Sequence, residues 1–282
     1  MRHIESVDEM KAVCREITRS GRTLGFVPTM GALHEGHASL VRASRAQCKA
    51  TAVSIFVNPL QFGPTEDLDK YPRAMERDSR LLQELGVDVL FAPTVAEMYT
   101  PGATTYVEVS EISNRLDGVS RPGHFRGVAT VVAKLFEIVR PDRAFFGQKD
   151  AAQVAVLRRM VRDLAMDVQL VVCPILREKD GLAMSSRNVY LSAVERKEAL
   201  VLNRALMRVQ HAADAGERDV ARLIETGKSV IAEEPGARLD YFAIVDPDSL
   251  EAVSDISRGA LVAVAAYVGS TRLIDNLLLT AR

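Results

Sequence analysis

The sequence predicts an α/β fold, a Rossmann-like doubly wound parallel sheet followed by a smaller C-terminal α+β domain. Three observations carry that expectation. Short apolar or β-branched runs alternate with segments of helical period up to about Pro174, and strands separated by helices pair in parallel through right-handed crossovers. Beyond Pro174 the rhythm changes to long helical patterns and then strand-like runs. The 282 residues suffice for one large domain and a small companion. The boundary is expected near residue 175, giving 1–175 and 176–282.

The elements follow in order. Ser6 and Glu9 have capping-box spacing, and Val7, Met10, Val13, Cys14 and Ile17 continue at helical period. Thr23-Leu24-Gly25-Phe26-Val27-Pro28 reads as a buried strand, and Leu40, Val41 and Ala43 mark a helix after it. Ala52-Val53-Ser54-Ile55-Phe56-Val57 is the next buried strand. A helix over 75–85 ends at Gly86, and a strand over 87–91 stops near Pro93. Helices over 128–139 and 154–164 then alternate with strands at 144–146 and 168–172. In the second part, one long helix is expected over 193–213 and another over 220–233, with strands at 241–245 and 261–268.

Composition narrows the function classes. Lys+Arg is 36 against Asp+Glu 37, a balance that gives no general attraction to nucleic acid or to an anionic membrane. No run approaches the ~18 apolar residues of a membrane span, and Met1-Arg2-His3-Ile4-Glu5 has no signal-peptide character. Cys14, Cys48 and Cys173 form no C-x-x-C pair, which suits reduced thiols rather than zinc or disulfides. A soluble, cytoplasmic protein is expected.

No P-loop and no G-x-G-x-x-G is present. Instead, the end of the first long strand carries Pro28-Thr29-Met30-Gly31-Ala32-Leu33-His34-Glu35-Gly36-His37. His34 and His37 share a helix face at spacing three, Gly36 admits close approach to the backbone, and the helix N-terminus adds N–H donors. That is a phosphate cradle. The zinc-protease pattern H-E-x-x-H fails because residue 38 is alanine. Gly147-Gln148-Lys149-Asp150, after a strand, offers a point charge for phosphate and a carboxylate for a ribose hydroxyl, although a Lys–Asp pair at a helix start more often serves capping and solvated charge. Met184-Ser185-Ser186-Arg187 supplies two hydroxyls and a guanidinium for phosphates, and equally fits a Ser-rich helix start. Asn58-Pro59-Leu60-Gln61 leaves neutral amides at a strand tip, where local turn bonding is the common use of Asn-Pro.

Together these residues resemble a known family. Pro28 through His37 looks like the HIGH-type signature of the nucleotidylyltransferase superfamily, and Met184-Ser185-Ser186-Arg187 like its KMSKS loop. More specifically, Phe56-Val57-Asn58-Pro59-Leu60-Gln61-Phe62, Asp67-Leu68-Asp69-Lys70-Tyr71-Pro72-Arg73 and Arg121-Pro122-Gly123-His124-Phe125-Arg126-Gly127 resemble the pantothenate synthetase (pantoate–β-alanine ligase) family. So does Asp180-Gly181-Leu182-Ala183 leading into Met184. Gln148 and Leu60 depart from that pattern, where glutamate and methionine are common.

The resemblance implies ATP-dependent joining of pantoate to β-alanine through a pantoyl-adenylate, with AMP and pyrophosphate released and Mg²⁺ as cofactor. It implies ATP contacts from Met30, Gly31, Ala32, Leu33, His34, Glu35, Gly36 and His37. Further ATP contacts are implied from Gly147, Gln148, Lys149, Asp150 and Leu176, and from Met184, Ser185, Ser186 and Arg187. Catalysis falls to His34, His37, Lys149, Ser185, Ser186 and Arg187, and pantoate to Gln61 and Gln153. No metal ligand is assigned, since Arg77 interrupts Glu76 and Asp78. A homodimer without nucleic-acid or membrane partners is expected, and residues 63–72 are the expected lid. An AMP transferase acting on a phosphomonoester shares the histidine cradle but does not need the second domain. A class I aminoacyl-tRNA synthetase fragment lacks support from the charge balance. A non-catalytic nucleotide module would make no use of Lys149 and Arg187.

Overall fold

The computed structural model describes residues 1–280 except Thr65 and Asp67. In chain order its elements begin with β1 (Arg2–Ile4), α1 (Val7–Arg19), β2 (Leu24–Thr29), α2 (Glu35–Gln47), β3 (Ala50–Ile55), α3 (Met75–Glu84) and β4 (Val89–Phe91). Then come α4 (Val95–Met98), α5 (Asp117–Ser120), α6 (His124–Val139), β5 (Arg143–Gly147), α7 (Ala151–Asp163) and β6 (Gln169–Cys173). The last third holds α8 (Ala193–Ala199), α9 (Val201–Asp214), α10 (Val220–Ala232), β7 (Ala237–Val245), β8 (Ala260–Val268) and β9 (Thr271–Leu279).

Alternation within each strand decides which helices cover which face. Leu24 and Phe26 of β2, Ala52 of β3, Val89 and Phe91 of β4, and Ala144 and Phe146 of β5 join one core with α1, α6 and α7. Their neighbours Val27, Val53, Leu90 and Phe145 join a second core with Leu40 and Val41 of α2 and Leu82 of α3. Helices therefore lie on both faces of one parallel sheet, ordered β1-β4-β3-β2-β5-β6.

The chain reverses its direction of strand addition between β2 and β5, and ligands in such sheets bind at that switch point. Here the two strands pair only at Gly25–Arg143 and Phe26–Ala144. They then part, so the carboxyl ends at Thr29 and Gly147 stand either side of an opening. The functional motifs sit on its rim.

The C-terminal part is an antiparallel sheet, β7-β8-β9, packed by α9 and α10. Val245, Leu250, Leu261 and Ala263 pack into the first core. Polar bonds add to that apolar contact: Arg272 reaches Asp117 at 2.7 Å and Asp240 at 2.8 Å, and the Tyr241 hydroxyl donates to Asp117 at 3.2 Å. Among the described residues no helix is long and apolar enough to cross a membrane.

The expected fold class is what the structure has, with the short helices α4 and α5 added and three further differences. β1 was not anticipated; it is three residues long and exists by pairing with β4. The single helix expected over 193–213 is two, because at Leu200 the ladder tightens to an i→i−3 bond with Lys197. β9 was missed because Asp275 and Asn276 interrupt its apolar run. Both are buried at 3% exposure, and both are paired.

Candidate active site

The opening at the switch point is the mouth of a cleft of about 1390 Å³, solvent-facing volume included. One wall is the start of α2. Gly31 and Ala32 both take positive φ, 85° and 50°, turning the chain sharply between β2 and α2. The buried Asp78 of α3 braces this turn by accepting from the Leu33 N–H at 3.0 Å. Burial raises its carboxyl pKa, against the pull of that bond and of Arg77.

His34 caps α2, its Nδ1 accepting from the Gly36 N–H at 3.1 Å. His37 Nδ1 accepts in turn from the His34 N–H at 3.3 Å. The rings are tilted at 44° to one another, with 4.2 Å between centroids. With each Nδ1 used as an acceptor, each proton resides on Nε2. Burial, with Lys149 next, lowers the His34 pKa to about 4; burial, with His34 next, lowers that of His37 to about 3. The cradle thus presents neutral N–H donors. Gly36 has a different use from the one its sequence position suggests: a Cβ there would lie 2.8 Å from His34 Cε1, so the ring fills the space a side chain would take.

The far end is built around Asn58, 1% exposed. Its Nδ2 donates to Gln61 Oε1 at 3.0 Å and to the Gly127 carbonyl at 3.1 Å. Its Oδ1 accepts from the Leu60 N–H at 3.3 Å and the Tyr99 hydroxyl at 2.7 Å. An unpaired buried amide atom would cost ~1–3 kcal/mol, and Asn58 avoids that cost on both sides. Gln61 Nε2 is left facing the cleft beside Met30 Sδ at 3.1 Å. His124 and Arg121 hold the Gln61 carbonyl at 2.8 and 3.4 Å, and Arg121 pairs with Glu66 at 2.5 Å. Burial, then Arg121, lowers the His124 pKa to about 4.

The third side combines the end of β5 with the turn Gln148–Asp150 and the first turn of α7. Gly147, Lys149, Asp150 and Gln153 line the cleft, and Lys149 Nζ lies 3.7 Å from Asp150. Opposite them, a β-hairpin turning at Gly181 (φ 95°) delivers Leu176, Met184, Ser185, Ser186 and Arg187 to the cleft. Arg177 anchors this hairpin to Asp275 of β9 at 2.6 Å, and Ser186 Oγ meets the Tyr71 hydroxyl at 3.2 Å.

The cleft thus gathers Met30, His34, Gly36, His37, Gln61, Gly147, Lys149, Asp150, Gln153, Leu176 and residues Met184, Ser185, Ser186 and Arg187. Five expected contacts do not line the cleft, Gly31 among them, which with Ala32 makes the turn before α2. Leu33 is in the core under α2, and Glu35 pairs with Arg42 on the surface. Gln148 Nε2 bonds Asn276 at 3.1 Å, and Ala32 shapes the turn. The sequence puts Tyr71 in a lid, Asn58 at a strand tip, and Arg121 and His124 in a family-like segment with no site role; all four line the cleft, with Asp78 and Tyr99 behind it. Tyr99 carries no signal in the sequence, and Asp78 stands out there only as an acid beside Arg77. Of the expected lid, Thr65 and Asp67 lie outside the described residues.

Among the described residues no three His, Cys, Asp or Glu side chains converge as a metal site. The acid on the cleft wall, Asp150, lies beside Lys149. A resident metal therefore does not fit these side chains.

Comparisons with known proteins agree with this geometry. Residues 2–278 match the family profile described as Pantoate-beta-alanine ligase. The chain is 60% identical to the pantothenate synthetase of Koribacter versatilis, covering 100% of this chain and 97% of that one. It is 62% identical to that of Acidobacterium capsulatum, covering 99% and 97%. The crystal structure of pantothenate synthetase from Thermus thermophilus superposes with a TM-score of 0.94 at 50% identity, covering 98% of this chain and 99% of that one. A pantoate-beta-alanine ligase from Francisella tularensis, solved with beta-gamma ATP and beta-alanine, superposes with a TM-score of 0.81 at 34% identity, covering 99% and 97%. With its fold and nearly its whole length shared with these enzymes, the chain belongs to the pantoate-beta-alanine ligase family.

Proposed function

We propose that this enzyme condenses pantoate with β-alanine at the expense of ATP, through a pantoyl-adenylate. The observation that carries the reading is one cleft with a phosphate-directed end and an acid-directed end. His34, His37, Lys149, Ser185, Ser186 and Arg187 gather at the first, and Gln61 faces in from the second.

The chemistry follows from those groups. A pantoate carboxylate oxygen attacks the α-phosphorus of ATP, and the bond to the bridging oxygen breaks, so pyrophosphate leaves with the electron pair. The uncharged amine of β-alanine then attacks the acyl carbon; AMP leaves, and the amine proton passes to solvent. Negative charge grows on the α-phosphate oxygens and on pyrophosphate in the first step. Lys149 and Arg187 supply fixed positive charge there, and His34 and His37 supply Nε2–H donors. His37 serves as a hydrogen-bond donor rather than a proton donor, because burial leaves its ring uncharged. Gly147 and Asp150 suit the ribose, Leu176 and Met184 the adenine side, and Gln61 with Gln153 the pantoate. Mg²⁺ would arrive on the phosphates of ATP, as a hard ion that keeps its waters does.

We assign residues 1–175 to nucleotide and pantoate binding, residues 176–282 to closure over them, and residues 63–72 to a lid. On family resemblance we assign a homodimer in the cytoplasm; the free, buried Cys14, Cys48 and Cys173 suit a reducing compartment. Activation before amide formation predicts ATP–pyrophosphate exchange that requires pantoate and not β-alanine. Exchange without pantoate would overturn the assignment.

A further inference from the structure

We propose that Tyr99, which does not touch the cleft, is a positioning residue for pantoate: through Asn58 it holds still a Gln61 amide whose outward end the backbone has already chosen. The proposal rests on the pantoate-binding role just given to Gln61.

Two backbone groups decide the network. The Leu60 N–H can only donate, and it lies 3.3 Å from Asn58 Oδ1; the Gly127 carbonyl can only accept, and it lies 3.1 Å from Asn58 Nδ2. These fix the orientation of the Asn58 amide. The second Nδ2 hydrogen then goes to Gln61 Oε1 at 3.0 Å, so Gln61 must turn its Nε2 outward. The same logic makes the Tyr99 hydroxyl a donor to Asn58 Oδ1 at 2.7 Å. It is the shortest of the four bonds. Gln61 therefore enters the cleft as a donor, matched to a hydroxyl or carboxylate oxygen of the acid. The thioether of Met30 is a weak acceptor that such an oxygen would replace.

Tyr99 is itself held rigidly. Its N–H closes α4 on the Val95 carbonyl at 2.8 Å, and its ring lies 6.0 Å from that of Phe56. Lys134 of α6 sits 5.7 Å from the ring centroid and donates to the Met98 carbonyl. Burial raises the phenol pKa, so the hydroxyl keeps its proton across the working pH range.

Tyr99→Phe keeps the ring and removes the hydroxyl. With the shortest bond gone, Asn58 is held only by the longer bonds to Leu60 and Gly127; it and Gln61 turn for part of the time, and the apparent KM for pantoate rises about tenfold. The KM for ATP stays unchanged, which a merely structural defect would not allow. An unchanged pantoate KM, or KM values for both substrates rising together, would overturn the proposal. Nitrogen-15 spectra of the unliganded protein give a second measurement that needs no substrate. The Gln61 carboxamide should give one slowly exchanging pair of proton resonances in the wild type and faster exchange in Tyr99→Phe; equal exchange in both counts against it. If wild-type exchange proves independent of pantoate, the functional assignment fails on its own, and the spectra still decide whether Tyr99 holds Gln61 still.

Discussion

A histidine whose Nδ1 is committed to a backbone N–H has only Nε2 left for chemistry, and His34 and His37 are both of this kind. Their pKa values near 4 and 3 lie below the value of ~6.5 expected of the unfolded chain. Above pH 6.5 the rings are neutral in both states. As pH falls below 6.5 the unfolded chain takes up protons that the folded one refuses, so stability is lost progressively down to the folded pKa. Imidazole resonances of the unliganded protein should therefore titrate near 4 and 3; midpoints near 6.5 would refute the neutral cradle. In the same cradle, His37→Ala should lower turnover about a hundredfold or more with the fold intact, since a fixed donor to developing charge is worth ~3 kcal/mol. Steady-state rates and a circular dichroism melt check both halves. The paired histidines were legible because a spacing of three at a helix start, N-cap to third residue, brings their side chains together. Asp78 was not, because its bond to Leu33 spans residues remote in sequence and leaves no local pattern.

Between elements, the tightest constraint near the site is the approach of α6 to the turn at Pro59–Gln61. A Cβ on Gly127 would lie 2.2 Å from the Leu60 carbonyl oxygen, which belongs to rigid backbone. Gly127→Ala must push α6 and the turn apart, costing about 2 kcal/mol and breaking the Asn58–Gly127 bond. Gly227 offers a control in the other core, where a Cβ would meet the Phe242 ring at 2.1 Å. Both variants should melt lower, and only Gly127→Ala should also raise the KM for pantoate; an equal effect on that KM from both would show that the turn is not specially placed. Elements with strong apolar period, such as β2, β3 and α6, could be read from sequence because each buries its own stripe. β1 could not, since three residues show no period. β9 could not either, since its Asp275 and Asn276 are tolerated only through Arg177 and the carbonyls of Gln148 and Lys149.

Across the whole molecule, the cleft is closed by contacts between segments far apart in sequence. Tyr71 meets Ser186 at 3.2 Å, the Tyr190 hydroxyl donates to the Lys70 carbonyl at 3.2 Å, and Glu66 grips Arg121. These bonds tie the proposed lid to the hairpin that carries Arg187 and to the start of α6. Composition announced none of this; the resemblance suggested a lid, but only the fold pairs Tyr71 with Ser186. An acyl-adenylate hydrolyses if water reaches it, so closure matters most while the intermediate waits for β-alanine. Tyr71→Phe keeps the edge-on contact with Phe62, 5.9 Å between centroids, and removes the hydroxyl at the seam. Tyr190→Phe removes the neighbouring tie in the same way. In the double variant the first step should proceed nearly as before, because no phosphate-directed cation has been altered. Its intermediate should leak instead. With ample β-alanine, AMP and pantothenate should form in equal amounts; as β-alanine is made scarce, AMP should outrun pantothenate in the variant well before it does in the wild type. Paired assays of the two products across a β-alanine series measure this directly. If the ratio stays the same in both proteins at every concentration, these tyrosines do not keep water from the intermediate, and the seam between residues 63–72 and the hairpin is only a packing contact.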